Sequence, residues 1–140
     1  MIQANGEHLK KRRIELRLKQ TEVASLLGVH RGSIQLWEQG RGEQGVRPLP
    51  AIIRFLGYVP FDCDETPGGQ FAFLRRCSGK TQEELAELVG CDATSIWRWE
   101  RGLIDGARKL DRAITRIWKE LQRLGIDQIA KEILRTKKGS

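Results

Sequence analysis

The side chains that most often carry chemistry are few and scattered in this chain. Its two histidines, His8 and His30, fall on different predicted helices of one short segment. Its three cysteines, Cys63, Cys77 and Cys91, are odd in number, widely spaced and without a neighbouring histidine. No C-x-x-C pair is present to hold zinc or to run thiol–disulfide exchange. Cys91 reads as a small core hydrophobe, because an internal repeat matches it to Val29. A glycine-rich phosphate loop behind a strand, a nucleophile elbow and a carboxylate pair in a credible cleft are all missing. The expectation is a protein that is not an enzyme, with no catalytic residue, no metal and no cofactor. In 140 residues there is also no room for the catalytic domain of a recombinase or nuclease.

The chemistry that remains is that of cations. The chain carries 25 Lys and Arg against 18 Asp and Glu, a net charge of +7. Residues 1–70 hold 10 basic and 8 acidic groups and residues 71–140 hold 15 and 10, so the excess leans to the second half. A positive field draws polyanions and speeds association with nucleic acid, but a solvated basic surface has the same charge count. Spacing has to decide between them. No run approaches the roughly 18 consecutive apolar residues of a membrane span, and Met1 to Lys11 lacks the apolar core of a signal peptide. The expected location is the cytoplasm, with no membrane contact.

Spacing is informative because the chain repeats itself. Shifted by 62 positions, Gly6–Leu56 aligns with Gly68–Trp118 without a gap. The 51 aligned pairs include 15 identities, among them Gly6/Gly68, Arg13/Arg75, Gln20/Gln82, Gly28/Gly90, Ile34/Ile96, Trp37/Trp99, Glu38/Glu100 and Gly40/Gly102. The shared pattern is Q-x-E-[VL]-A-x-L-[LV]-G-x-x-x-x-S-I-x-x-W-E, and it occurs twice.

Each copy must position its side chains on the same series of helices. A first helix is predicted over about 7–16 and 69–77, a second over 20–27 and 82–89. Thr81 and Glu84 form a capping box that fixes the start of the latter, whereas Lys19 stands in the threonine's place in the first copy. Gly28 and Gly90 end this helix in the left-handed conformation. A third helix starts at His30 or Asp92, the latter a good N-cap residue, and buries Ile34 and Trp37, or Ile96 and Trp99. Two short helices joined by a glycine-led turn, the second amphipathic, make a helix-turn-helix. Residues 47–58 give a fourth helix that starts near Pro48 or Pro50, behind a flexible loop over 41–46. Residues 59–69, rich in Pro, Gly and Asp, read as a linker. Beyond it, Leu110, Ile114, Ile117, Trp118, Leu121 and Leu124 form an apolar stripe on a long helix, extended after Gly125 by Ile126, Ile129, Ile133 and Leu134. The fold class is all-α: two tandem repressor-like helix-turn-helix domains, 1–58 and 70–140, the second with a C-terminal helical extension.

Residues 6–58 and 68–118 resemble the phage-repressor-like helix-turn-helix family of bacteria and their phages, often called the XRE family. The resemblance implies binding to operator DNA, with repression the usual outcome and activation the less usual one. Carried over by position, the base-reading residues are His30, Arg31, Ser33 and Leu36 in the first copy and Ala93, Thr94, Ser95 and Arg98 in the second. Arg31 and Arg98 have the geometry for a bidentate contact to guanine, and Thr94 or Leu36 for a thymine methyl. Gly32 offers no side chain, and Asp92 meets phosphate repulsion unless it caps its own helix. Gln20 and Gln82 match glutamines that bind phosphate at a helix start, and Lys80 and Arg101 are further phosphate candidates. The family pairs the carboxylates matched by Glu38 and Glu100 with an arginine of the first helix, which here implies structural ion pairs with Arg13 and Arg75. Trp97 is matched by Gln35 and points away from Trp99, an exposed interface anchor against the other domain, a second subunit or sugar-phosphate.

Two functions follow as expectations. One is a sequence-specific regulator of transcription, a repressor in the usual case, that reads double-stranded DNA with both copies. Half-sites about 34 Å apart lie within the reach of about 36 Å of an extended eleven-residue linker. The other is a protein-interaction or antitoxin-like module in which only one copy binds DNA, the first copy being the one that has drifted. A homodimer through the C-terminal stripe, or a protein partner, is compatible with either.

Overall fold

The computed structural model describes residues 4–42, 45–103 and 107–138, and among these every regular element is a helix. The chain divides into two compact units, 1–61 and 62–140. No helix among the described residues is long and apolar enough to cross a membrane.

In the first unit α1 (Ala4–Glu15), α2 (Gln20–Leu27), α3 (Arg31–Glu38) and α4 (Leu49–Leu56) surround one small core. Leu9, Val23, Ala24, Leu27, Ile34, Trp37, Leu49, Ile52, Ile53 and Leu56 supply it, α1 giving Leu9 and each of the other helices residues three or four apart on one face. Gly28 adopts φ 69° and closes α2 with its N–H on the last carbonyls, which turns the chain into α3 three residues later. Pro50 fits the first turn of α4, where a missing N–H costs nothing. The predicted flexible loop over 41–46 contains residues 43 and 44, which lie outside the described residues.

In the second unit α5 (Pro67–Cys77), α6 (Gln82–Val89), α7 (Ala93–Glu100) and α8 (Ala107–Leu124) follow the same order, and α9 (Asp127–Lys138) is added. Thr81 accepts from the Glu84 N–H at 3.1 Å and Glu84 accepts from the Thr81 N–H at 2.9 Å, the reciprocal box expected from sequence. At α2 only half of it survives: Glu22 accepts from the Lys19 N–H at 2.8 Å, and lysine has no acceptor to return.

One identity between the copies becomes intelligible only here. Gly6 and Gly68 sit where the first helix of each unit meets the end of the third. A methyl group at Gly6 would stand 1.8 Å from the Trp37 carbonyl oxygen, and one at Gly68 would stand 2.6 Å from those of Trp99 and Glu100. Both neighbours are backbone, so neither can swing aside.

Three expectations change. The segment 59–69 is not a free tether: Val59, Pro60, Phe61 and Cys63 are buried, and Pro67, Gly68 and Gly69 form the first turn of α5 with Thr66 as its cap. The apolar stripe is buried at Ile117, Leu121 and Ile126 and half-buried at its other positions. Gly125, at φ 76°, breaks it into α8 and α9. Ala113, Ile117, Leu121, Ile126 and Ala130 are then buried as the two helices pack on each other and on α5. Asp92 occupies the N-cap position of α7 with extended backbone, but its carboxylate makes no capping hydrogen bond.

Candidate nucleic-acid interface

In each unit the third helix is pinned by its apolar side and shows the other side to solvent. Burial of Ile34 and Trp37 leaves His30, Arg31, Gly32, Gln35 and Leu36 exposed and Ser33 half-buried. Burial of Ile96 and Trp99 leaves Asp92, Thr94, Trp97 and Arg98 exposed, with Ala93 and Ser95 half-buried. Phe71 meets Trp99 edge-on, with ring centroids 6.0 Å apart, and so fixes the rotation of α7. The side chains assigned to base reading thus share one helix face within each unit, and Ala93, Ser33 and Ser95 lie at its margins.

A buried carboxylate closes each third helix from behind. Arg13 Nε and Nη2 donate to Glu38 at 2.7 and 2.8 Å, Arg13 Nη1 donates to the Leu18 carbonyl at 3.1 Å, and Gln20 Nε2 donates to Glu38 at 3.1 Å. In the second unit Arg75 reaches Glu100 at 2.6 and 3.3 Å and the Lys80 carbonyl at 2.7 Å, and Gln82 Nε2 reaches Glu100 at 3.0 Å. The Glu38 and Glu100 side chains are only 5% and 10% exposed. Burial alone would raise the Glu38 carboxyl, but hydrogen bonds from Arg13 and Gln20 and the charges of Arg13 and Lys10 outweigh it and hold it below its usual value. The same hydrogen bond raises Arg13, against the opposing effect of burial. The bidentate fork ties the end of the third helix to the first helix and to the start of the second.

Gln20 and Gln82, which the resemblance assigns to phosphate, therefore have an amide N–H committed to a carboxylate. Each NH2 group has a second hydrogen for another acceptor. Lys80 is half-buried on the turn before α6. Arg101 lies just past α7, its guanidinium 4.5 Å from the centre of the Trp97 ring. Trp97 and Arg101 line, together with Gln82, a cleft of about 380 Å³ between α5, α6 and α7. The pairing of Trp97 with Arg101 was missed from sequence, although their four-residue separation is the spacing that brings helical side chains together. Much of the C-terminal positive charge sits on α8, where Arg108, Arg112, Arg116, Lys119 and Arg123 recur three or four apart and are all exposed.

The remaining reactive side chains have structural surroundings. His8 Nδ1 lies 2.6 Å from the Tyr58 hydroxyl, which joins α1 to the segment after α4. Cys63 and Cys77 are buried and Cys91 half-buried. Burial raises the Cys77 and Cys91 thiols, which disfavours their thiolate forms. Among the described residues no group of three His, Cys, Asp or Glu side chains is placed to hold a metal ion.

No curated protein and no solved structure matches the chain. Residues 9–62 match the family model described as helix-turn-helix, a span that takes in α2, α3 and α4 of the first unit.

Proposed function

We propose that the chain is a sequence-specific, double-stranded DNA-binding transcriptional regulator, a repressor, that reads the major groove with two tandem helix-turn-helix units. The observation that carries the second unit is the recurrence of the whole Arg–Glu–Gln arrangement, Arg13–Glu38–Gln20 and Arg75–Glu100–Gln82, behind an exposed third-helix face. In both units it withdraws the one carboxylate of that helix from the surface that would face DNA. Arg98 and Arg31 are the guanine readers, Thr94 and Leu36 the methyl contacts, and His30, Ser33, Ala93 and Ser95 fill the rest of the reading face. Gln20, Gln82, Lys80 and Arg101 hold phosphates and so set the register. No catalytic step and no cofactor belongs to this function, and its place is the bacterial or phage-infected cytoplasm.

Because the two faces carry different residues, the site is asymmetric. Selection of bound duplexes from a random pool at physiological salt tests this. An enriched motif in two unlike parts supports the reading. A palindrome or a single half-site overturns two-unit reading, and no enrichment overturns sequence-specific binding. An antitoxin-like second reading rests on Leu36, 46% exposed where the second unit has Arg98. In that case the first unit binds protein and only the second reads DNA.

A further inference from the structure

Trp97 is the most conspicuous residue that base reading leaves unused. It is 42% exposed, yet its ring is not idle, because the Arg101 guanidinium lies over it at 4.5 Å. An arginine side chain in water samples many rotamers, and fixing it costs entropy that a contact must repay. A stacked guanidinium has given up much of that freedom beforehand, while the N–H groups in its own plane remain available to donate. Arg101 therefore stands ready for an anion before one arrives.

The surroundings say which anion. Arg101, Trp97 and the Gln82 amide line one cleft, and Gln82 is the first residue of α6, where unpaired backbone N–H groups collect. Asp62, Asp64 and Glu100 also line it, opposite the cations Arg76 and Arg101, so the cleft has no excess of positive charge for a small free anion. Glu100 is neutralised by Arg75, and Asp64 accepts from the Thr66 N–H at 3.3 Å. Arg101 is exposed just past α7, beside the face assigned to base reading, which suits a polymeric backbone better than a small ion. The matched residues of the first unit are Gln35 and Gln39, which supply neither ring nor charge.

We infer that Trp97 and Arg101 work as one phosphodiester clamp in which Trp97 is the positioning residue, so that the second unit has a backbone anchor that the first unit lacks. This rests on the DNA-binding reading above. A phosphate contact carries no sequence information, so the probe is a labelled mixed-sequence duplex titrated with the full chain at several salt concentrations. Variants are Trp97→Gln, Trp97→Phe, Arg101→Ala and the double variant Trp97→Gln/Arg101→Ala, with melting curves to establish that each is folded. Arg101→Ala is expected to weaken binding and to reduce the salt slope by about one. Trp97→Gln is expected to weaken binding about two- to fivefold, the worth of an exposed cation–π contact. Trp97→Phe should retain most of the affinity, and the double variant should bind no more weakly than Arg101→Ala. Additive losses overturn the coupling while leaving DNA binding intact. Unchanged affinity in Trp97→Gln assigns the ring to a protein partner instead. A wild-type chain that binds no duplex overturns the DNA-binding reading itself, and the clamp with it.

Discussion

Glu38 and Glu100 are carboxylates kept beside a surface rich in cations, and their hydrogen bonds explain how they remain there. Each is held by three side-chain donors from two elements, so it contributes to the frame rather than to the field outside. The depressed Glu38 value gives this a pH signature with a definite sign. A carboxyl lower in the folded than in the unfolded state contributes stability that is complete above the unfolded value of about 4.3. That contribution is lost as pH falls through the folded value. Thermal melts of the wild type and Glu38→Gln should therefore differ most at neutral pH, and the gap should close below about pH 4. A gap independent of pH would mean that shape rather than charge holds the end of α3. At the same scale the thiols are explained by their surroundings, since apolar burial disfavours the thiolate that redox or metal chemistry requires.

Elements meet at two points where one atom decides the packing. The first is the glycine contact between α5 and the end of α7. Gly68→Ala would drive a methyl against two backbone carbonyls and should cost about 1–3 kcal/mol despite the better helix propensity of alanine. Gly32→Ala is the natural control. Its added methyl has no neighbour within 4 Å and its helix keeps ordinary dihedrals, so it should gain about 0.5–1 kcal/mol. Chemical denaturation of both variants compares them directly, and equal effects would remove the steric explanation. The second point is the start of α2. Lys19→Thr would complete the half-made capping box and should stabilise the first unit by about 1 kcal/mol, read as a higher denaturant midpoint at constant slope.

For the whole molecule, the two copies share a frame and differ in what they show. The same core glycines, tryptophans and buried ion pairs recur, while Leu36 faces Arg98 across the alignment and Gln35 faces Trp97. In the two-unit function proposed above, these divergent outer faces would meet two unlike stretches of one site. Arg98→Ala should cost about 1–3 kcal/mol at a single base position and relax preference there, measured by competition between duplexes that differ at that position. Uniform weakening across all duplexes would make Arg98 a backbone contact. Of the C-terminal apolar stripe, Ile117, Leu121 and Ile126 are buried within the second unit, while Ile114, Trp118, Ile129 and Ile133 are half-buried.

Much of this arrangement was legible before any coordinates. Period and punctuation specify the helices, since a glycine that alone enters the left-handed region cheaply must end α2 and α6, and an apolar face at helical spacing must turn inward. The duplication lies in the order of residue types themselves, and the Thr81 cap is local chemistry between residues three apart. What tertiary structure decided involves residues distant in the chain or competing for one partner. Gly6 and Gly68 are required by carbonyls 31 residues away, a contact no local pattern encodes. Whether Asp92 caps α7 depends on a rotamer, and the structure leaves that cap unmade. Gly125 could have allowed one bent helix or two, and the gain from burying Ile126 and Ala130 against the rest of the unit selected two. Trp97 was recognisably exposed from its place in the repeat, but the guanidinium that covers it could be identified only once both side chains had positions in space.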